Sequence, residues 1–378
     1  MKIIYIANAR IPTEKAHGIQ IMKMCEAFAL NNDVELILPM RFNPIKDGPF
    51  FYYGVEKKFR IKKMPCFDLI RFHRYLGNFG LWLETVTFFF FLFFYLVFKK
   101  ADIFYTRDRL LLPLAIIKKN FVFEAHTFPR NYFLYAVFLK KLKGIVTITQ
   151  KLKESFMERG FKQDNIFTAP DGVDLVKFDI KETKDECRKL LCLPNDKKIV
   201  LYTGHFYKWK GVEILIEASK LLPEDAKVYL VGGVAEDREK YEKLIQGIKQ
   251  KIQMIGHRPH QEMPYWLKAA DALVLPNSGK EDISKYWTSP MKLFEYMASG
   301  RPIVASGLPS IKEILNADNA VLVRPDDSED LARGIIEVLQ NQSLSDKISE
   351  KALIDARQYS WAKRAQKIIN FINNYGNN

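Results

Sequence analysis

Short apolar runs alternate with amphipathic stretches along almost the entire chain. In the first half, runs at 2–7, 33–38, 102–106, 121–124, 144–148 and about 166–169 predict β-strands, with an amphipathic helix from about 18 to 30. In the second half, runs at 198–203, 227–231, about 252–255, 272–275, 303–305 and 320–323 predict six more. Apolar strands separated by helical patterns imply parallel sheets with helices on both faces. The two series part near 179–196, where charged residues dominate. A chain of 378 residues exceeds what one core usually supports. Two α/β domains are therefore expected, at 1–180 and 195–358. A last helix, within 360–378, is expected to pack back onto the first domain. No internal repeat and no low-complexity linker stands out.

One predicted helix has both ends marked. Ser289-Pro-Met-Lys-Leu-Phe-Glu-Tyr-Met-Ala-Ser-Gly300 offers Ser289 as a cap and Pro290 at the first helical position, where a missing N–H costs nothing. Gly300 can take the left-handed conformation that stops a helix, and Pro302 blocks continuation. Strands are predicted on either side, so the helix begins at the carboxyl edge of a parallel sheet, where α/β proteins bind ligands. Its first-turn amides form an anion site, with Lys292 and Glu295 three apart on one face. Amides for phosphate and a carboxylate one turn deeper for ribose hydroxyls suit a nucleoside diphosphate.

A second phosphate feature opens the second domain. In Leu201-Tyr-Thr-Gly-His-Phe-Tyr-Lys-Trp-Lys-Gly211 a strand runs into a glycine turn, and a helix starts near Gly211. Lys208 and Lys210 fall on the same sheet edge as the Ser289 helix. At a surface-like dielectric, a lysine 4 Å from a unit negative charge contributes about 4 kcal/mol of gross Coulomb energy. A helix N-terminus contributes about 0.3–1 kcal/mol, rising to about 2. Lysine charge should therefore outweigh the dipole in stabilising a departing diphosphate.

Composition changes the picture in one place. The net charge of +14 is uneven. Residues 1–150 hold 23 Lys and Arg against 11 Asp and Glu, and 21 of the 28 phenylalanines. That half suits an anionic, greasy partner, with lipid surface and nucleic acid both candidates. Its most apolar stretch, 85–98, has 14 residues between Glu84 and Lys99, short of the roughly 20 that span a bilayer. A buried helix and a helix presenting phenylalanines to a membrane are both open readings. Lys57, Lys58, Arg60, Lys62, Lys63, Arg71 and Arg74 favour the second. The four cysteines lack CxxC spacing and read as reduced thiols, not a disulfide or zinc framework. The start of the chain reads as a strand rather than a secretory signal.

Taken together, these motifs resemble a retaining glycosyltransferase of family 4. The resemblance rests on Lys210-Gly211, the 289–298 segment with Gly300 and Pro302, and Ala169-Pro-Asp-Gly-Val-Asp174 with Phe178. It also rests on Ile255-Gly256, Ala269-Ala-Asp271, Pro276, Glu124-Ala-His126 and Trp361. It implies an α/β GT-B fold, with two Rossmann-like domains facing across a cleft and a C-terminal helix returning to the first. It implies that Glu295 binds ribose hydroxyls and that Lys210 neutralises the diphosphate. Pro290, Met291 and Lys292 would lie at the distal phosphate, with Gly204, His205 and Lys208 beside it. Gly256 and His257 would lie at the base. His126 would contact the donor sugar, and Gly18, in a loop before the first helix, would let backbone approach the diphosphate and acceptor.

Three positions depart from the family pattern. Trp287 stands where the first glutamate of a Glu–seven residues–Glu motif would fall, leaving donor-sugar contacts to other groups such as Glu281-Asp282. His205 stands where an arginine is common, and His17-Gly18 replaces a glycine pair. Trp287 also serves the packing or acceptor-platform readings, and Arg107 either faces an anionic acceptor or pairs with Asp108.

The expected reaction moves a sugar from a nucleoside-diphosphate sugar to a lipid-linked or membrane-displayed glycan, with retained configuration and no metal or other cofactor. The expected location is cytoplasmic, peripheral on the inner face of the cell membrane, with an anionic membrane surface as partner and no nucleic acid. Alternatives are a nucleotide-sugar epimerase on the same fold, a degenerate binding-only homologue, and a nucleic-acid-binding protein. For the last, no helix-turn-helix or zinc finger is visible.

Overall fold

The computed structural model describes residues 1–70, 75, 77–129, 131–233 and 235–374. The chain divides into two compact units, Met1–Pro170 together with the chain from Trp361 onward, and Asp171–Ser360.

The first unit is built on a parallel sheet of β1 (Lys2–Ile6), β2 (Asp33–Pro39), β3 (Arg60–Met64), β4 (Ile103–Thr106), β5 (Phe121–Ala125), β6 (Gly144–Thr147) and β7 (Ile166–Thr168). Their order is β3-β2-β1-β4-β5-β6-β7. Strands β4 and β5 are buried throughout, which is why they read as continuous apolar runs rather than alternating ones. The order reverses between β1 and β4, so the crevice at their carboxyl ends is the switch point where such sheets bind ligands.

Strand β3, Arg-Ile-Lys-Lys-Met, is too charged for apolar patterning to find. It lies at the sheet edge, where lysines block pairing with other chains. Arg60 Nη2 pairs with Asp33 Oδ1 at 2.9 Å. Lys62 Nζ sits over the Tyr95 ring at 4.1 Å, and Lys58 pairs with Glu56 at 2.7 Å. Three of the basic residues singled out for a membrane thus have partners within the unit. Arg71 and Arg74 lie outside the described residues.

The phenylalanine-rich segment differs from its sequence reading. It forms a helix of 20 residues, Phe79–Phe98, about 30 Å long at 1.5 Å per residue. Glu84 does not end the apolar stretch, because it is wholly buried and neutralised. Arg41 Nη2 lies 2.6 Å from Glu84 Oε2, and Arg41 Nε donates to Oε1 at 2.9 Å. Glu84, Phe88, Leu92 and Leu96 form the buried stripe at spacing four. By length and composition the helix is apolar enough to cross a membrane, yet only 22% of its most apolar window is buried. Trp82, Phe90, Phe94 and Phe98 face outward.

The second unit carries β8 (Lys198–Gly204), β9 (Ala226–Gly232), β10 (Ile252–Gly256), β11 (Ala272–Leu275), β12 (Ile303–Ser306) and β13 (Val321–Val323). These form a parallel sheet in the order β10-β9-β8-β11-β12-β13. Its switch point lies between β8 and β11.

The units divide at Pro170 rather than near 180 or in the charged 179–196 stretch. That stretch is charged because it is a capped surface helix of the second unit, Lys184–Leu190, opened by a Thr183–Glu186 capping box. Arg188 ties it down, reaching Asp271 and donating from Nε to the Ala269 carbonyl at 3.0 Å. Val173 and Ser360 pair in a parallel bridge. The last helix, Trp361–Asn374, buries Trp361, Arg364, Ala365, Ile368, Ile369 and Ile372 and packs on the Ala16–Phe28 helix of the first unit.

Candidate functional site

In the second unit, β8 ends at Gly204 and the chain turns through Lys208–Lys210 into the helix Val212–Ser219. Gly211 makes that turn at φ +69°, so close to the chain after β11 that a Cβ would lie 1.8 Å from the Pro276 carbonyl oxygen. No side chain fits there, and Lys210 is thereby held at the switch point.

The helix Met291–Ala298 starts beside it. Ser289 does not cap this helix. Its Oγ accepts the Asp171 N–H at 2.9 Å, fastening the segment that enters the second unit. Pro290 precedes the helix in extended conformation. Gly300 takes the expected left-handed conformation at φ +64°.

Lys292 Nζ donates to the Thr203 carbonyl at 3.1 Å and lies 3.6 Å from the Tyr202 ring centroid. Lys210 Nζ lies 3.9 Å from the centroid of Trp209. Neither ammonium makes an ion pair with a described carboxylate. Burial lowers the pKa of Lys210 to about 7. Burial, and then the charge of Lys210, holds Lys292 well below the usual lysine range, against a smaller opposing pull from Glu295. Two half-buried like charges with no described carboxylate paired to them form a site that an anion would stabilise. The pair titrates as a unit.

Glu295 does not spend its carboxylate on Lys292. Its Oε1 accepts from His260 Nε2 at 2.7 Å. Lys177 Nζ donates to His260 Nδ1 at 2.8 Å, so the ring proton must sit on Nε2. The Lys177–His260–Glu295 chain holds the carboxylate one turn behind Lys292, with Oε2 left for a ligand.

The other predicted positions in this unit are less engaged. Gly256 ends β10 in left-handed conformation, and His257 after it is exposed. Lys208 is exposed. His205 stacks on Tyr207 at 5.2 Å. Trp287 is half-buried, and Glu281 and Asp282 are exposed. Among the described residues, no group of three His, Cys, Asp or Glu is arranged to hold a metal ion.

In the first unit, His126 follows β5. Its Nε2 lies 2.7 Å from Glu124 Oε1. Glu124 is fully buried and also receives Gln20 Nε2 at 2.6 Å, the Tyr105 hydroxyl and Arg364 Nη1 at 3.1 Å. Burial works against its charge, but Arg364 and the His126 bond more than offset it, and Glu124 stays ionised well below the usual range. Burial, then Arg107, lowers His126 to about 4. At neutral pH His126 is therefore uncharged, with its proton on Nε2 and the Nδ1 lone pair available.

Two first-unit readings change. Gly18 is the third residue of the Ala16–Phe28 helix, not part of a preceding loop. Its N–H already donates to the Lys15 carbonyl at 2.9 Å. A Cβ there would lie 2.1 Å from the Tyr53 hydroxyl, so packing accounts for the glycine. Arg107 donates from Nη1 to Gln20 Oε1 at 2.5 Å and does not ion-pair with Asp108. Asp108 instead accepts the Asn8 N–H at 2.6 Å.

Sequence reasoning missed His260 and Gln20, and gave Glu124 and Arg364 no role. His260 lay only three residues beyond His257, and its sole signal was a histidine in the loop after β10.

Residues 197–341 match the family model described as Glycosyl transferases group 1. An uncharacterized glycosyltransferase of Methanocaldococcus jannaschii is 26% identical over 235 residues, covering 60% of this chain and 58% of that protein. The O-antigen chain mannosyltransferase B of Escherichia coli is 26% identical over 176 residues, covering 45% of this chain and 44% of that protein. The chain thus spans well under two thirds of the length of these relatives. Among solved structures, Anabaena Alr3699/HepE in complex with UDP and glucose superposes with a TM-score of 0.75 at 17% identity, covering 99% of both chains. The fold is GT-B, two Rossmann-like α/β domains.

Proposed function

We propose that this protein is a retaining glycosyltransferase that moves a sugar from a nucleoside-diphosphate donor to a glycan hydroxyl. The observation that carries the reading is the pair of desolvated lysines, Lys210 and Lys292, at the second switch point, with the Glu295 carboxylate one turn deeper. The diphosphate would lie against both ammonium groups and the first amides of the Met291–Ala298 helix. Glu295 Oε2 would accept from ribose hydroxyls. His126, neutral with Nδ1 as acceptor, would take a hydrogen bond from a sugar hydroxyl of the substrate. In the transfer, the bond from the anomeric carbon to the diphosphate oxygen breaks while the acceptor oxygen bonds to that carbon on the same face. The acceptor proton passes to the departing phosphate. Preorganised charge on the leaving group is the main contribution, and the two lysines supply it without a metal or other cofactor.

A pH effect follows from the lysines. Above pH 7 free Lys210 is largely neutral, and a bound diphosphate restores its charge. Donor binding should therefore take up a proton, and affinity should fall as pH rises above 7. Calorimetry of nucleoside diphosphate binding at pH 8, in buffers of different ionisation enthalpy, should give a net uptake of at least about one proton, because Lys292 is held low as well. Zero uptake would mean both lysines are already charged in the free protein.

The acceptor is proposed to be lipid-linked or membrane-displayed, in synthesis of a cell-surface polysaccharide or glycoconjugate, with the enzyme peripheral on the inner face of the membrane. The support is the outward row Trp82, Phe90, Phe94 and Phe98, with Phe133 and Val137 of the Tyr132–Leu139 helix also exposed. Exposed Lys57, Lys63, Lys100, Lys140 and Lys141 of the same unit add positive charge, each worth about 1 kcal/mol near an anionic leaflet. The inward stripe and the Glu84–Arg41 pair argue for lying at the surface rather than spanning, since spanning would strip a buried ion pair. The protein should sediment with phosphatidylglycerol vesicles at low salt, and less so after Trp82→Ser, Phe94→Ser and Phe98→Ser together. No sedimentation of the native protein removes the membrane part.

A further inference from the structure

The guanidinium of Arg364 bonds four groups of the first unit at once. Arg364 lies one turn into the C-terminal helix and is only 4% exposed. Its Nε donates to the Pro170 carbonyl at 2.8 Å, and its Nη2 to the Ala169 carbonyl at 3.1 Å. Its Nη1 reaches Glu124 Oε2 at 3.1 Å and Met24 Sδ at 2.9 Å. Ala169 and Pro170 are the last residues before the chain leaves this unit, and Trp361 is the first after it returns. Both crossings of the chain are therefore tied to one side chain, which also ion-pairs with the carboxylate that holds His126.

We propose that Arg364 is a positioning residue for His126, acting through Glu124, so that the C-terminal helix is a working part of the site around His126. The proposal rests on the reading of His126 given above. The chemistry is one of tautomers. Glu124 Oε1 takes Gln20 and His126, while Oε2 takes Tyr105 and Arg364. With Arg364 present the carboxylate is ionised and can only accept, so His126 must carry its proton on Nε2. Without that cation, a carboxylate this buried takes up a proton. A protonated Glu124 can donate to Nε2, which moves the imidazole proton to Nδ1. The edge of His126 that accepted a hydrogen bond then donates one. The charged or titratable groups bearing on His126 are Glu124, Arg107, Arg364 and His17. Arg107 and His17 belong to other elements and stay in place when Arg364 is changed. Only a guanidinium meets two carbonyls and a carboxylate in one plane, so lysine should restore the charge and not the full grip.

The test uses the full chain with Arg364→Gln, Arg364→Lys and Tyr105→Phe. Loss of the outer partner that orients a metal-bound histidine typically costs about 10–100-fold, and Arg364 and Glu124 stand behind His126 in the same way. Arg364→Gln should lower kcat by that amount and leave the donor KM within about twofold, because neither Arg364 nor Glu124 is among the groups proposed to hold the nucleotide. Nitrogen-15 spectra of the imidazole should show the Nε2–H form in the native protein. They should show a shift toward Nδ1–H in Arg364→Gln and partial return in Arg364→Lys. A folded Arg364→Gln with native kcat and an unchanged His126 tautomer overturns the proposal. If the glutamine variant does not fold, native kcat in both Arg364→Lys and Tyr105→Phe overturns it instead. The enzyme reading fails separately. A native protein that binds no nucleotide sugar, but whose His126 tautomer still follows residue 364, loses the activity and keeps the coupling.

Discussion

Replacing Lys210 by alanine should lower kcat/KM by about 10²–10³, the range found when one preorganised group facing developing negative charge is removed. The same substitution should leave the melting temperature unchanged or raised. Lys210 makes no ion pair with a described carboxylate, is buried enough to bring its pKa to about 7, and repels Lys292. Its removal relieves an unfavourable arrangement in the free protein. A residue kept for structure would show the reverse, a lower melting temperature and near-native turnover. Steady-state kinetics and a thermal melt on one preparation decide between the two. Both lysines lie on an aromatic ring, but Lys292 is the poorer probe, because its hydrogen bond to the Thr203 carbonyl would be lost along with its charge.

Replacing Glu295 by alanine should weaken nucleoside diphosphate binding by about two orders of magnitude. A hydrogen bond to a charged group contributes about 1.5–3 kcal/mol, and a carboxylate facing a ribose makes two. Glu295→Gln should cost less, near tenfold, since His260 Nε2–H can still donate to the retained oxygen and only the charge is lost. His260→Ala should fall between native and Glu295→Ala. It leaves the carboxylate present but unheld. Titration calorimetry with the nucleotide alone gives all three values. Equal affinity in the native protein and Glu295→Ala would remove the residue from the site and leave the His260 pair as a packing feature.

How far the site was legible depends on what each position does. Lys210, Lys292 and Glu295 could be read because local rules place them: a strand, a turn glycine and a helix with a marked stop put them on one sheet edge. His260 could not be read, since it reaches Glu295 from the loop after β10, 35 residues away in sequence. Arg364 was hidden for the same reason at longer range, 240 residues from Glu124. Gly18 had the right residue type for a backbone approach, but Tyr53, from a distant segment, is what excludes its side chain. Ser289 had a helix cap's sequence, and tertiary contact with Asp171 took its hydroxyl instead.

The fold followed the same logic. Twelve of the thirteen strands announce themselves as apolar runs. Strand β3 does not, because an edge strand with charged side chains needs no apolar pattern. The apolar pattern begins six residues after the start of the aromatic helix, because Glu84 interrupts it. A buried arginine partner for that carboxylate was not visible in the local sequence.

The central claim is that the second unit binds a nucleoside-diphosphate sugar through Lys210, Lys292 and Glu295. The most direct measurement is saturation-transfer NMR of the intact protein with UDP-, GDP-, ADP- and dTDP-sugars in turn, repeated on Glu295→Ala. The account predicts transfer to one of these donors, strongest on its nucleotide protons, and loss of that signal in the variant. Transfer that is equal in the native protein and the variant, or no transfer from any donor to a folded protein, would contradict it.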